Sequence, residues 1–91
     1  MTYQIYTSNR FNKSLKRCIK RGLNVSKLKE VVTTLANGEQ LSSSHRPHKL
    51  SGKYANAWEC HIEPNWLLIW EQNDTELILL LIDTGTHSDI F

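Results

Sequence analysis

Ninety-one residues suffice for one compact core and not for two, so residues 1–91 read as a single domain. Hydrophobic residues make up 40% and charged residues 22%, ordinary globular usage that excludes a disordered tail. The formal net charge of +2 conceals a divided chain: residues 1–50 carry ten Lys/Arg against Glu30 and Glu39, and residues 51–91 carry Lys53 against seven acids. Such halves point to an anionic partner, nucleic acid first; the plainer alternative is that they neutralise each other across the fold.

Tyr3-Gln4-Ile5-Tyr6-Thr7 alternates apolar and polar residues and reads as a short strand. It is too short and too polar for a secretory leader. Ser8 or Asn9 then caps a helix whose stripe is Phe11, Leu15, Cys18 and Ile19. The opposite side carries Arg10, Lys13, Lys16, Arg17, Lys20 and Arg21, and Gly22 ends the helix. A second helix begins near Asn24 or Ser26, lays Leu28, Val31, Val32, Leu35 and Ala36 on one face, and stops at Asn37-Gly38. The short connection predicts an antiparallel helical hairpin.

Between Glu39 and Asn56 periodicity disappears, and Ser42-Ser43-Ser44-His45-Arg46-Pro47-His48 is loop chemistry. Trp58, Cys60 and Ile62 alternate with Glu59, His61 and Glu63 as a half-buried strand. Pro64-Asn65 turns into Trp66-Leu67-Leu68-Ile69-Trp70, and Asn73-Asp74 turns into the apolar run Leu77 to Ile82, which suits a strand covered on both faces. That run is too short to cross a membrane. Gly85 breaks it, and Thr86 to Phe91 follow. The order strand, helix, helix, strand, strand, strand, with tight turns in the second half, predicts an antiparallel meander under a helical hairpin. The fold class is two-layer α+β.

Four histidines fall between positions 45 and 87. His48, His61 and His87 stand at or near strand ends of one meander, where they can converge, and a histidine pair supplies base and acid near neutral pH. A satisfied surface side chain is the bland reading for each of them. Cys60 and His61 face opposite ways on a strand, and no C-x-x-C or H-x-x-x-H spacing exists, so metal ligation is not expected. Cys18 and Cys60 sit on apolar parities, unlike nucleophiles, and suit a reducing cytoplasm. Trp66 and Phe91 could stack a base while Arg46, Lys49 and their loop hold a phosphate; a core role for Trp66 is equally open.

At these residues the chain becomes recognisable. His48-Lys49-Leu50-Ser51-Gly52, Cys60-His61-Ile62-Glu63-Pro64-Asn65-Trp66-Leu67-Leu68-Ile69 and Thr84-Gly85-Thr86-His87-Ser88-Asp89-Ile90-Phe91 resemble, in order and spacing, the YafQ-type toxins of the RelE/ParE superfamily. The resemblance implies a RelE-like fold with an N-terminal strand and a helical hairpin on an antiparallel sheet. It implies a toxin of a type II toxin–antitoxin system, a ribosome-dependent mRNA endonuclease that inhibits translation without a cofactor. The partners implied are a cognate antitoxin, the 70S ribosome and mRNA in the cytoplasm, with no membrane and with operator DNA met only through the antitoxin complex.

Carried over by position, His48 and His61 belong to the proton-transfer and phosphate-binding set, with Asn65 beside them, and His87 is the proton donor. Phe91 stacks on or places the nucleotide, Trp66 is a second stacking candidate with a core role equally open, and Arg46, Lys49, Lys53 or a protonated histidine can supply the cationic support. The face of Arg10, Lys13, Lys16, Arg17 and Lys20 is expected to meet ribosomal RNA. Two positions depart from the family pattern: Asn65 where Asp is usual, and Asp83 where Arg is frequent. Asparagine cannot accept a proton, and a carboxylate at 83 would repel the substrate. The alternative function is a non-nuclease of the same fold, either a gyrase-poisoning ParE-like toxin or a catalytically weakened binding module.

Overall fold

Ser8 starts the first helix because its hydroxyl accepts from the Phe11 amide (3.0 Å) while donating to the Ile82 carbonyl (2.7 Å), so cap and sheet attachment are one residue. The computed structural model describes residues 2–91. Its elements are β1 (Gln4–Thr7), α1 (Asn9–Lys20), α2 (Val25–Ala36), β2 (His48–Lys49), β3 (Trp58–Glu63), β4 (Trp66–Asn73), β5 (Ile78–Gly85) and α3 (His87–Ile90). Short 3-10 turns at Ser43–His45 and Gly52–Tyr54 flank β2. Asn24 caps α2 through the Ser26 amide.

The five strands form one sheet in the order β1-β5-β4-β3-β2. The expected antiparallel meander is present as β3, β4 and β5. The sheet is not wholly antiparallel, because β1 runs parallel to β5 in the register Gln4↔Ile78 to Thr7↔Leu81. A parallel neighbour needs a long crossover, and here everything between β1 and β5 supplies it. The apolar run also shifts: Leu77 has φ +56° and stays in the turn, while β5 continues to Gly85.

Alternation divides the sheet's side chains into two clusters. Cys60, Ile62, Trp66, Leu68, Trp70, Leu79 and Leu81 pack with Phe11, Cys18, Leu28, Val31 and Leu35 of the two helices. On the other side Leu67 and Ile69 pack with Ala57 and Ile90, with Leu50 and Tyr54 at the margin. One expectation for α1 needs correction. Ile19 is 51% exposed and lies outside the core, whereas Ser14 takes a buried place on that face.

Ser14 is buried because β5 offers it a partner. Asp83, only 2% exposed, accepts from the Ser14 hydroxyl (2.6 Å), Arg10 Nε (2.9 Å) and its neighbour's amide at Thr84 (2.8 Å). This carboxylate therefore belongs to the α1–β5 joint, where Arg10 stands against its charge. Asp83→Ala leaves a buried hydroxyl and a buried amide without an acceptor. It should lower unfolding stability in urea by about 2–4 kcal/mol, with Asp83→Asn losing less because the amide oxygen still accepts.

Candidate functional site

The site face is the side of the sheet that the long helices leave uncovered. His61 stands on β3, and its ring lies 5.9 Å from that of His87, the first residue of α3. The His87 ring lies 6.2 Å from Phe91, which is 65% exposed and meets Tyr54 edge-on at 5.9 Å. His61 Nδ1–H donates to the Pro64 carbonyl at 3.2 Å across the β3–β4 turn. The tautomer that makes this bond leaves a lone pair on Nε2.

His48 faces the same side, since it pairs with Glu59 across the β2–β3 ladder and Glu59 is two residues from His61. Its Nδ1–H donates to the Arg46 carbonyl (2.8 Å), and Nε2 lies 3.2 Å from Glu59 Oε1, an ion pair when the ring carries both protons. Glu59 is buried, and its Oε2 has no hydrogen-bond partner among the described residues. Its compensation therefore falls on His48. Glu59 was hidden in the sequence by the strand alternation, which assigned it to the solvent side.

The cationic residues do not all gather here. Lys53 lies over the Tyr54 ring (5.6 Å), beside Phe91, and exposed Arg46 lines a cavity of about 390 Å³ with Lys27, Ser44, His45, His61 and Glu63. Lys49 is turned away. It sits 5.8 Å over Trp58, which packs against the helix-side core, because adjacent residues of a strand point oppositely. Asn65 is exposed in the β3–β4 turn, beside a cavity shared with Arg21, Pro64, Trp66 and Thr86.

Trp66 does not stack on a base. It is 1% exposed in the helix-side core, and its indole N–H donates to Thr84 Oγ1 at 2.8 Å. Tryptophan in a central strand buries more area than it could offer at a surface, and its polar edge found a partner inside. The cysteines are equally unavailable: both are buried, and burial pushes the Cys60 thiol up to about 12. The basic side chains of α1 lie in the helical layer, away from the histidines. Arg10 is tied to Asp83 and Arg17 donates to Ser14 (3.3 Å), while Lys13, Lys16 and Lys20 are exposed.

A model of the YafQ family, described as a bacterial toxin of type II toxin–antitoxin systems, matches residues 3–91. The chain belongs to that family. The mRNA interferase toxin YafQ of Escherichia coli K12 is 33% identical over 85 residues, covering 92% of this chain and 90% of that protein. The crystal structure of YafQ from E. coli BL21(DE3) superposes with a TM-score of 0.91 at 31% identity, covering 98% of each chain. YafQ in the E. coli DinJ–YafQ toxin–antitoxin complex superposes with a TM-score of 0.90 at 32% identity, covering 100% of this chain and 99% of that one. The sheet, the helical pair and the C-terminal turn of helix are thus the fold of this toxin family.

What holds His87 and Phe91 in place is a clamp on α3. Thr86 and Asp89 form a reciprocal capping box, and Arg21 at the end of α1 grips both Asp89 oxygens at 2.6 and 3.0 Å. The Thr86-x-x-Asp89 spacing was the readable signal for this helix; the Arg21 contact had none. Gly85 lies against the clamp with φ +150°, and an added Cβ would stand 2.9 Å from Asp89 Oδ2. Gly85→Ala should therefore displace α3 and reduce activity while the sheet core persists. The Arg21 guanidinium and the Thr86 amide hold the Asp89 carboxyl well below the usual carboxylate range. A lowered folded value means the clamp is complete above about pH 4, where the unfolded carboxyl is already ionised, and weakens only as pH falls further. Amide shifts of His87 and Phe91 attributable to clamp opening should stay flat from neutrality to about pH 4; movement already near pH 5 that is absent in Asp89→Asn would contradict this.

Proposed function

We propose that this protein is the toxin of a type II toxin–antitoxin pair, an endoribonuclease that cuts mRNA on the ribosome and is silenced by its antitoxin. The observation that carries the reading is the convergence of His61, His87 and exposed Phe91 on one open face, with His48 on the same side. The names of the relatives, an mRNA interferase toxin and a toxin–antitoxin complex, support it. The active chain is read as one toxin domain working in the cytoplasm.

The chemistry needs two proton transfers and a place for charge. His61 Nε2, left with its lone pair by the Pro64 bond, takes the proton of a ribose 2′-hydroxyl. That oxygen attacks the adjacent phosphorus, and the P–O5′ bond breaks as protonated His87 donates to the leaving oxygen. The products are a 2′,3′-cyclic phosphate and a 5′-hydroxyl. When its ring carries both protons, His48, placed between the Arg46 carbonyl and Glu59, stabilises the phosphorane with Lys53 and Arg46. Phe91 stacks on the neighbouring base, which its exposure allows. Asn65 offers a hydrogen bond at the turn but no charge.

Single-turnover cleavage of ribosome-bound mRNA tests these roles. His87→Ala and His61→Ala should each slow cleavage about 100-fold, and Asn65→Asp should raise it about 10-fold. An active His87→Ala removes the proposed acid, and equal rates for wild type and Asn65→Asp make position 65 a structural turn. Ribosome association is assigned to the exposed face of α1, with Arg10 and Arg17 contributing less because they are engaged within the fold. Lys13→Ala with Lys16→Ala should weaken ribosome binding for every mRNA and reduce its salt dependence. Unchanged binding at all salt concentrations would leave that stripe a solvated face.

A further inference from the structure

Beyond Glu59 the outer edge of β3 has no neighbouring strand, because β2 pairs only through His48 and Lys49. An imidazole from the preceding loop takes over there. His45 Nδ1–H donates to the His61 carbonyl at 2.7 Å, a short bond for a neutral pair. His45 closes the 3-10 turn Ser43–His45, its own amide donating to the Ser42 carbonyl and the Arg46 amide to the Ser43 carbonyl. Arg46 then adopts φ +47°, a left-handed conformation that costs a long side chain energy unless its surroundings impose it. In that conformation the Arg46 carbonyl accepts the Nδ1–H of His48 at 2.8 Å.

Two adjacent loop residues thus hold both β-sheet histidines of the site: His45 grips the backbone of His61, and Arg46 fixes the ring of His48. We infer that His45 is a positioning residue, whose imidazole docks the Ser43–Pro47 loop on β3 so that the Arg46 carbonyl keeps hold of His48 Nδ1–H and the His48 ring keeps its place against Glu59. His45 touches no reacting atom. It acts through the loop, and its effect on cleavage rests on the ribonuclease reading above, whereas its effect on the His48 ring does not.

The test pairs two substitutions with a spectrum. His45→Ala removes the donor. His45→Asn puts an amide nitrogen close to where Nδ1 stands and can restore the bond. Loss of the donor should lower kcat about 10-fold with little change in KM, since a loosened catalytic ring misplaces the transition state more than the bound substrate. His45→Asn should recover most of that loss. Long-range 1H–15N spectra should show His45 and His48 each carrying a proton on Nδ1 in the wild type, the His48 ring signals displaced in His45→Ala, and the wild-type pattern regained in His45→Asn.

A wild-type spectrum with the His45 proton on Nε2 overturns the inference even if His45→Ala does not fold. So does a folded His45→Ala with unchanged kcat and an unchanged His48 ring, or a His45→Asn that fails as badly as Ala. If the wild type cuts no RNA while the His48 ring signals respond as described, the positioning role stands and the ribonuclease reading falls.

Discussion

The site depends on β4 being buried on both faces. Trp66, Leu68 and Trp70 point into the helices, while Leu67 and Ile69 point the other way and need cover of their own. Ile90 provides it, and by docking there it brings α3 against the sheet. His87 and Phe91 bracket Ile90 in sequence, so burying that one side chain sets the reach of both. Arg21 and Asp89 then fix the remaining freedom of the short helix. An apolar requirement at the centre of the sheet and an ion pair at its margin together place residues 86–91 as half of the candidate site.

Part of the charge division of the chain is neutralised across the fold. Arg10 meets Asp83, Arg21 meets Asp89 and Lys27 meets Glu63 (3.3 Å), each pair joining the basic half to the acidic half. Asp83 is the clearest case, a buried carboxylate that the α1–β5 joint requires. Lys13, Lys16 and Lys20 have no such partner within the described residues and leave a cationic strip on the outer face of α1. The residual field is therefore smaller than the composition of the first fifty residues implies, and one face of α1 carries a dense part of it.

Elements whose signals are local could be read directly. Ser8 and Asn24 mark helix starts, Gly22 and Asn37-Gly38 mark ends, and the alternation from Trp58 to Glu63 gives a strand. Pairings at long sequence distance could not be read, because nothing in Gln4-Ile5-Tyr6-Thr7 names β5 as its neighbour or sets a parallel direction. Buried polar groups failed for the same reason. Ser14, Glu59 and Asp83 look like surface residues until their partners, Arg10, His48 and each other, are placed in space. Trp66 was undecidable from the sequence, since the indole suits a stack or a core equally and only Thr84, eighteen residues away, settles it. For the histidines, placement at strand ends was legible, whereas the hydrogen bonds that orient them run to carbonyls of Arg46, Pro64 and His61, which no side-chain motif encodes.

The pairing of β1 with β5 also bears on how the protein comes into being. Ser8 bonds Ile82 across 74 positions of chain, so the sheet stays open on that side until the last strand has been synthesised. Contacts this distant form late and slowly, since a long loop must close before they contribute anything. The short helix with His87 and Phe91 follows β5 in the chain, and its Ile90 packs on β4 residues. A nascent chain emerging from the ribosome therefore carries His48 and His61 well before it has a surface that can act on anything. For a protein read as attacking the machinery that makes it, that order makes His87 and Phe91 the last of the candidate site residues to be synthesised.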